Sequence, residues 1–154
     1  MSVNAKLLSG FREALEEGGL SGAMRFLNQS VAYRFSAVYV FSGGTLRNIC
    51  LVDKLESEVS KTDDIPIEKS YCVFIRRTAK PFSVNDSLND PRVDGHSKQQ
   101  IIHSYYGLPL MGATGQLVGT VCHFDYDTTP LMEETVDFLD AVAPLIADAL
   151  NTAA

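Results

Sequence analysis

SYYGLPLMGATGQLVGTVCHFD, residues 104–125, reads as two apolar runs joined by a turn. The first run spans 105–111 and the second 117–124. Between them lies Gly112-Ala113-Thr114-Gly115, small residues that tolerate the positive φ of a tight hairpin. The second run is rich in β-branched and aromatic residues and stops at the polar Asp125-Tyr126-Asp127-Thr128. It does not alternate cleanly between apolar and polar. Both of its faces must therefore be covered, which makes this a central hairpin of an antiparallel sheet.

The whole chain fits that reading. Its 154 residues make one domain by the usual prior, with enough apolar content, 45%, for a real core. A formal net charge of -6 argues against a nucleic-acid or anionic-membrane surface. No apolar run approaches the length of a bilayer span, and the N-terminus lacks the apolar segment of a signal peptide, so the expected location is the cytoplasm. Cys50, Cys72 and Cys122 are odd in number and isolated, and they form no CxxC arrangement. Neither a disulfide framework nor a zinc site is expected.

Upstream, Leu7, Leu8, Phe11 and Leu15 form an apolar stripe at helical spacing, stopped by Gly18-Gly19. A second helix is expected from Ser21 to about Ala32, with Leu20, Met24, Leu27 and Val31 along one side. Met24 reads as core filler. Residues 34–41 form the first strand, Ser42-Gly43-Gly44-Thr45 the turn, and residues 46–52 the returning strand. The acidic stretch 53–66 offers no strand that can be placed. Ser70 is the expected N-cap of a third helix ended by Pro81, and Phe82-Ser83-Val84 is a short strand. Residues 85–100 form a long polar loop, a length usually reserved for function or mobility.

The last helix is expected to begin near Thr129-Pro130. Met132, Val136, Leu139, Ala143, Ile146 and Leu150 form one stripe; Phe138, Val142, Leu145 and Ala149 form another beside it. Pro144 removes one hydrogen bond inside this helix.

From about Leu20 to the C-terminus the chain resembles a GAF domain, the small-molecule sensor module of many bacterial signalling proteins. The resemblance rests on the order and spacing of Tyr33-Arg34-Phe35, Leu46-Arg47-Asn48, Ser70-Tyr71-Cys72, Asn89-Asp90-Pro91-Arg92, Tyr106-Gly107-Leu108-Pro109-Leu110 and Gly119-Thr120-Val121-Cys122-His123-Phe124-Asp125. It implies an α+β sandwich with a central antiparallel sheet of five or six strands. The terminal helices would pack on one face. The third helix and the long loop would close a pocket on the other. The chain departs from the pattern in three places. Met132 stands where many members carry a capping Ser, Thr or Asp. The Asn-Lys-Phe-Asp-Glu signature of cyclic-nucleotide-binding members cannot be assembled. No bilin-attaching Cys-His pair is present: Ser104 follows His103.

Through the resemblance, the candidate ligand-binding residues are Tyr71, Cys72 and Ile75 on the third helix, Asp86 beyond the short strand, and Tyr105, Thr120, Cys122 and Phe124 on the hairpin. Strand alternation sets Thr120, Cys122 and Phe124 on one face and Leu117, Val121 and His123 on the other. Core packing is as good a reading as ligand contact for each of the first set. Tyrosine suits such a cavity because it pairs an apolar body with a polar tip. Asp86 reads better as a turn or cap residue than as an acid catalyst. His96 reads as part of a solvated loop, and His123 as a hydrogen-bonded structural histidine. No metal site, cofactor, phosphate-binding glycine loop or catalytic triad is called for by these motifs.

The leading expectation is a non-enzymatic sensor that binds a small molecule and signals through its terminal helices to a separate partner. One alternative is a reductase of free methionine-R-sulfoxide, which some stand-alone members of the family are. It would need an exposed acidic thiolate and a resolving thiol, and Cys72 on a helix's first turn is the better placed of the three cysteines. The other alternative is a structural dimerisation module without a ligand. The two stripes of the last helix exceed what one sheet face covers, so a two-fold homodimer through the terminal helices is expected unless the first two helices cover the second stripe. Light scattering at micromolar concentration should then give about twice the 16.8 kDa chain mass; a concentration-independent monomer mass would rule the dimer out.

Overall fold

A computed structural model of the chain describes residues 3–56 and 58–153. Helix α1 (Val3–Gln29) is broken at Gly19, whose φ of 64° and ψ of -158° are not helical. A residue with a side chain would be strained there, and glycine is not. The break folds the two arms back on each other. The Phe26 ring lies where a Cβ on Gly10 would be, and the Ala14 carbonyl sits against Gly22. The two helices read from the sequence are these arms, the second ending at Gln29 rather than Ala32.

The sheet follows as β1 (Phe35–Ser42), β2 (Thr45–Asp53), β3 (Val59–Ser60), β4 (Ile65–Pro66), β5 (Phe82–Val84), β6 (Ser104–Met111) and β7 (Leu117–Asp125). Its order is β3-β2-β1-β7-β6-β5, with β4 also paired to β2, and every pairing is antiparallel. The sheet has seven strands rather than five or six because two two-residue strands come from the acidic stretch after β2, too short to show a period. Helix α2 (Cys72–Thr78) starts where the Cys72 amide donates to Ser70 Oγ at 3.1 Å, and stops at Ala79 in the left-handed region, φ 55°.

Helix α3 (Glu133–Ala153) begins later than Thr129-Pro130. A residue before proline is pushed away from the helical region. The first helical bond is instead donated by the Val136 amide to the Met132 carbonyl, 3.1 Å away. Among the described residues no helix is long and apolar enough to cross a membrane.

Two cores sandwich the sheet. On one face Phe11, Met24 and Leu27 of α1 meet Phe138, Leu139, Val142 and Ile146 of α3 over Val38, Tyr106, Leu108 and Val121. Phe138 and Val142 of one stripe and Leu139, Ala143 and Ile146 of the other are buried here, while Leu145 and Leu150 stay half-buried and Met132 is exposed. On the other face Tyr71, Cys72 and Ile75 lie over Ala37, Leu46, Val84, Tyr105 and Cys122. Val118, not Leu117, packs on the helix side, because the β6–β7 register slips between Leu110 and Met111 and inverts the alternation at that end.

Gly119 sits in the middle of this arrangement, paired with Val40 and Leu110. A Cβ there would lie 2.1 Å from the Tyr39 carbonyl oxygen, and backbone in the sheet centre cannot retreat. Gly119→Ala should cost about 3 kcal/mol, the upper end for overpacking a closed site, read as a lower urea midpoint at unchanged slope.

Candidate functional site

Between the second face of the sheet, α2 and the loop that follows β5 lies a cavity of about 230 Å³. Tyr39, Ile65, Ser70, Tyr71, Lys98, Ile101, Ile102, Tyr105, Cys122, Phe124 and Tyr126 line it. Four of these are tyrosines, and Lys98 is the one charged side chain among the described lining residues. Such a mixture, apolar walls with a few polar tips, is what a small-molecule site requires.

The loop that roofs the cavity is stitched rather than slack. It carries 3₁₀ turns at Ser87–Asn89 and Pro91–Val93, and Ser87 Oγ donates to the Gln99 carbonyl at 2.7 Å while Gln99 Nε2 returns to the Ser87 carbonyl at 3.1 Å. Asp90 accepts from the Arg92 amide and guanidinium, and Arg92 reaches back to the Ser83 carbonyl at 2.6 Å. His96 is not a solvated loop residue. Its Nδ1 accepts from the Lys98 amide at 3.0 Å, which leaves Nε2–H to donate to the Ser70 carbonyl at 3.1 Å. Its ring also packs on Tyr71, centroids 4.7 Å apart. Burial lowers its pKa, consistent with this neutral tautomer. One histidine thus ties the roof to the start of α2.

Tyr71 donates to the Ile102 carbonyl at 3.0 Å and meets Tyr105 edge-on, centroids 5.5 Å apart. Tyr105 lies folded over Gly107: a Cβ there would fall 2.3 Å from the Tyr105 hydroxyl and 2.6 Å from Ile75. The missing side chain lets that hydroxyl reach Cys72 Sγ at 3.1 Å, and Thr120 Oγ1 approaches the same sulfur at 3.3 Å. Burial raises the pKa of Cys72, but hydrogen bonds from Cys122, Ser70, Thr120 and Tyr105 outweigh it and bring the thiol down to about 6. Burial, with the neighbouring Cys72, pushes Cys122 well up. Tyr105 and Tyr39 are likewise raised, first by burial. In both contacts at Cys72 either the hydroxyl or the thiol can serve as donor.

Of the residues singled out from the sequence, Tyr71, Tyr105, Cys122 and Phe124 line the cavity. Cys72 and Thr120 stand one layer behind the wall, joined to it through Tyr105. Ile75 is fully buried against Gly107 and packs the core. Asp86 is not in the wall: it precedes the first 3₁₀ turn and accepts from Asn89 Nδ2 at 2.7 Å, the turn residue its setting suggests. Tyr39 and Tyr126 were legible from alternation, being in step with Ala37 on β1 and with Phe124 at the end of β7. Lys98, Ile101 and Ile102 carry no periodic signal, since an irregular loop brings them.

Chemically the site can hold a small molecule against aromatic rings beneath one cation. Among the described residues no cluster of His, Cys, Asp or Glu could hold a metal. A helix-flanked antiparallel sheet with a cavity under a short helix and a loop is the architecture of a GAF-like α+β sandwich. The GAF domain family matches residues 18–150, and the chain belongs to that family. No curated protein matches the sequence.

Among solved structures, the GAF domain of an Acinetobacter phosphoenolpyruvate-protein phosphotransferase is similar at a TM-score of 0.79 and 9% identity, covering 99% of this chain and 96% of that one. Free methionine-R-sulfoxide reductase from Neisseria meningitidis, in complex with its substrate, gives 0.75 and 13%, covering 97% and 89%. A phycocyanobilin-bound GAF domain of a cyanobacterial phytochrome gives 0.73 and 11%, covering 97% and 94%. At such identities the likeness is one of fold.

His123, one residue from Cys122, faces away from the cavity. Ser36 Oγ accepts from Asn28 Nδ2 at 2.9 Å and shares a hydrogen bond with His123 Nδ1 at 2.7 Å. Burial, and then Lys54, lower its pKa to about 3. The unfolded chain binds this proton near pH 6.5 and the native one does not, so His123 should contribute stability in full above pH 6.5. That stability drains as pH falls toward 3, by an order of 4 kcal/mol. Denaturant unfolding from pH 7 to pH 4 should show this slope, and His123→Asn, which cannot titrate, should be less stable at pH 7 and shallower with pH.

Proposed function

We propose that this chain is a non-enzymatic sensor or regulatory GAF domain that binds a small molecule in the cavity under α2 and the 85–103 loop. The carrying observation is that cavity: about 230 Å³, walled by tyrosines and Lys98, and roofed by a loop pinned through His96. A single cation over aromatic and apolar walls favours a compact ligand with a negative or polar end. The effect of binding would pass through the sheet to α1 and α3, and from there to a separate partner. The half-buried Leu7, Leu8, Leu15, Leu145 and Leu150 at the helix layer are where a second copy of the chain would seat in the proposed homodimer. The working location is the cytoplasm.

A reductase of free methionine-R-sulfoxide is the second reading, favoured by the acidified Cys72 beside Cys122. The enclosure of both sulfurs weighs against it, since Cys72 is fully buried and Cys122 is 1% exposed.

Native mass spectrometry of the purified protein, followed by a thermal-shift screen of small metabolites, tests the sensor reading. A true ligand at a hundredfold excess over its Kd should add about 2.7 kcal/mol of stability, seen as a rise of several degrees in Tm, and Lys98→Ala should reduce that rise. No co-purified molecule and no shift across a broad panel would remove the reading. Thiol-dependent turnover of free methionine sulfoxide would replace it with the enzyme.

A further inference from the structure

A second concavity lies on the helix side of the sheet, between α3 and the end of β6, and the binding reading gives it no task. Its volume is about 390 Å³. Leu108 and Met111 of β6 line one side, and on the other Ala143 and Ala147 keep the wall of α3 low enough for another chain to come close. Met111 is 40% exposed, and a flexible thioether suits a surface that adapts to a partner. None of the leucines assigned above to a second copy lines this groove.

Its chemistry is one-sided. Asp140 and Asp148 are both exposed in its lining, and no lining side chain carries a hydrogen-bond donor. Pro81, Pro109 and Pro144 also line it, and none of them has a backbone N–H. Pro144 therefore withholds the helical bond that the Asp140 carbonyl, four residues back, would accept. Asp140 has no ion pair among the described residues, and no Lys, Arg or His follows His123 in the chain. A groove that only accepts calls for an occupant that donates, and two carboxylates call for positive charge. The end of β6 does not call for an added strand. β5 pairs with it only at residues 105–107, and Pro109 beyond them cannot donate to a ladder. The occupant is held through its side chains.

We propose that this groove docks an extended, basic segment of a separate protein, with two arginine or lysine side chains four residues apart and an apolar side chain midway. Asp140 and Asp148 are eight residues apart on α3, about 12 Å along its axis. In an extended chain, residues i and i+4 are about 13 Å apart and share a face with i+2. Each end cation meets a carboxylate, and the middle side chain lies on Ala143, Ala147 and Met111. A volume of 390 Å³ over that length makes a groove about 6 Å across, narrower than a helix. The proposal deepens the sensor reading and rests on it for its purpose, since it gives the separate partner a seat and a chemistry. The contact itself needs no ligand in the cavity.

The test titrates the capped peptide ARALARA into the ¹⁵N-labelled, ligand-free full chain at low salt. Amide shifts are expected at residues 108–111 and 140–148. The affinity should fall about threefold in Asp140→Asn and about tenfold in the double variant with Asp148→Asn, as two exposed ion pairs allow. It should fall again as salt is raised. Glu133→Gln, on the same helix but off the groove, should leave it unchanged. The rest of each spectrum reports that the variant is folded. Absence of shifts at these residues, or equal binding of a peptide with glutamine in place of both arginines, would overturn the proposal. So would equal affinity for 1,6-diaminohexane, which would make this a small-amine site, or the same shifts on concentrating the protein alone, which would seat a second copy there. The ligand screen and this titration fail separately, because one reads the cavity and the other the opposite face of the sheet.

Discussion

β7 is covered on both faces, and most of the molecule follows from that constraint. A strand with solvent on one side can leave its polar side chains to water. Here Thr120 and His123 are fully buried, so each must find a partner inside the protein. Thr120 finds Cys72 and His123 finds Ser36, on opposite sides of the sheet. Pairing with β1 on one edge and β6 on the other satisfies the backbone. The positions where no side chain can be tolerated are also set by this enclosure. At Gly119 the β1 backbone is in the way, and at Gly107 the Tyr105 ring occupies the space.

Enclosure likewise explains why the cavity takes its form. Tyr105 points from the sheet toward α2, and only the bare backbone of Gly107 lets it lie flat enough to reach Cys72. The roof above is polar and irregular, so it is held by side chains rather than by a sheet ladder. Ser87 with Gln99, Asp90 with Arg92, and His96 between Lys98 and Ser70 each satisfy backbone groups that a loop would otherwise leave to water. The residues by which the family is recognised do similar work elsewhere. Arg34 forms a two-bonded pair with Asp53 at 2.9 and 3.0 Å while its amide donates to Asp125 at 2.9 Å. Asn48, fully buried, spans the Cys50 carbonyl and the Thr62 amide. These motifs record how the sheet is closed and carry no information about which ligand it serves.

That division decides what could be read from the sequence. The hairpin of β6 and β7, the break at Gly18-Gly19 and the stripes of α3 were legible because each is written in period or turn chemistry. So was the separation of Cys122 from His123. The cap of α2 falls instead on Tyr71, one residue after the expected Ser70. The late start of α3 was missed by giving Pro130 the helix-opening role when its effect was on Thr129. β3 and β4 were missed because two residues have no period. In the cavity, the half supplied by strands and α2 was foreseeable, but alternation needed to be carried to β1 for Tyr39 and one step past β7 for Tyr126. The roof was not foreseeable, since Lys98 and Ile101 reach the cavity only through the tertiary bonds of Gln99 and His96. Asp86 fails as a wall residue for a local reason: a carboxylate just before a 3₁₀ turn is used by the turn.

The sheet is one strand thick between the cavity and the helices, and this bears on how the two sides communicate. Cys122 forms the cavity floor, and the next residue, His123, is tied through Ser36 to Asn28 of α1. Asn28 also holds the Arg34 carbonyl at 3.2 Å, where β1 begins. A displacement of β7 at Cys122 therefore moves a donor–acceptor chain whose members are buried and have no water to replace a lost bond. The apolar contacts beside it, Val121 against the α1 and α3 side chains, yield a little at a time under small shifts, because dispersion is summed over many weak pairs. The hydrogen-bonded chain does not: it is either intact or has an orphaned group in the core. Of the two terminal helices, α1 is thus joined to the cavity-floor strand by buried hydrogen bonds through Asn28, Ser36 and His123, whereas α3 meets that strand through apolar packing.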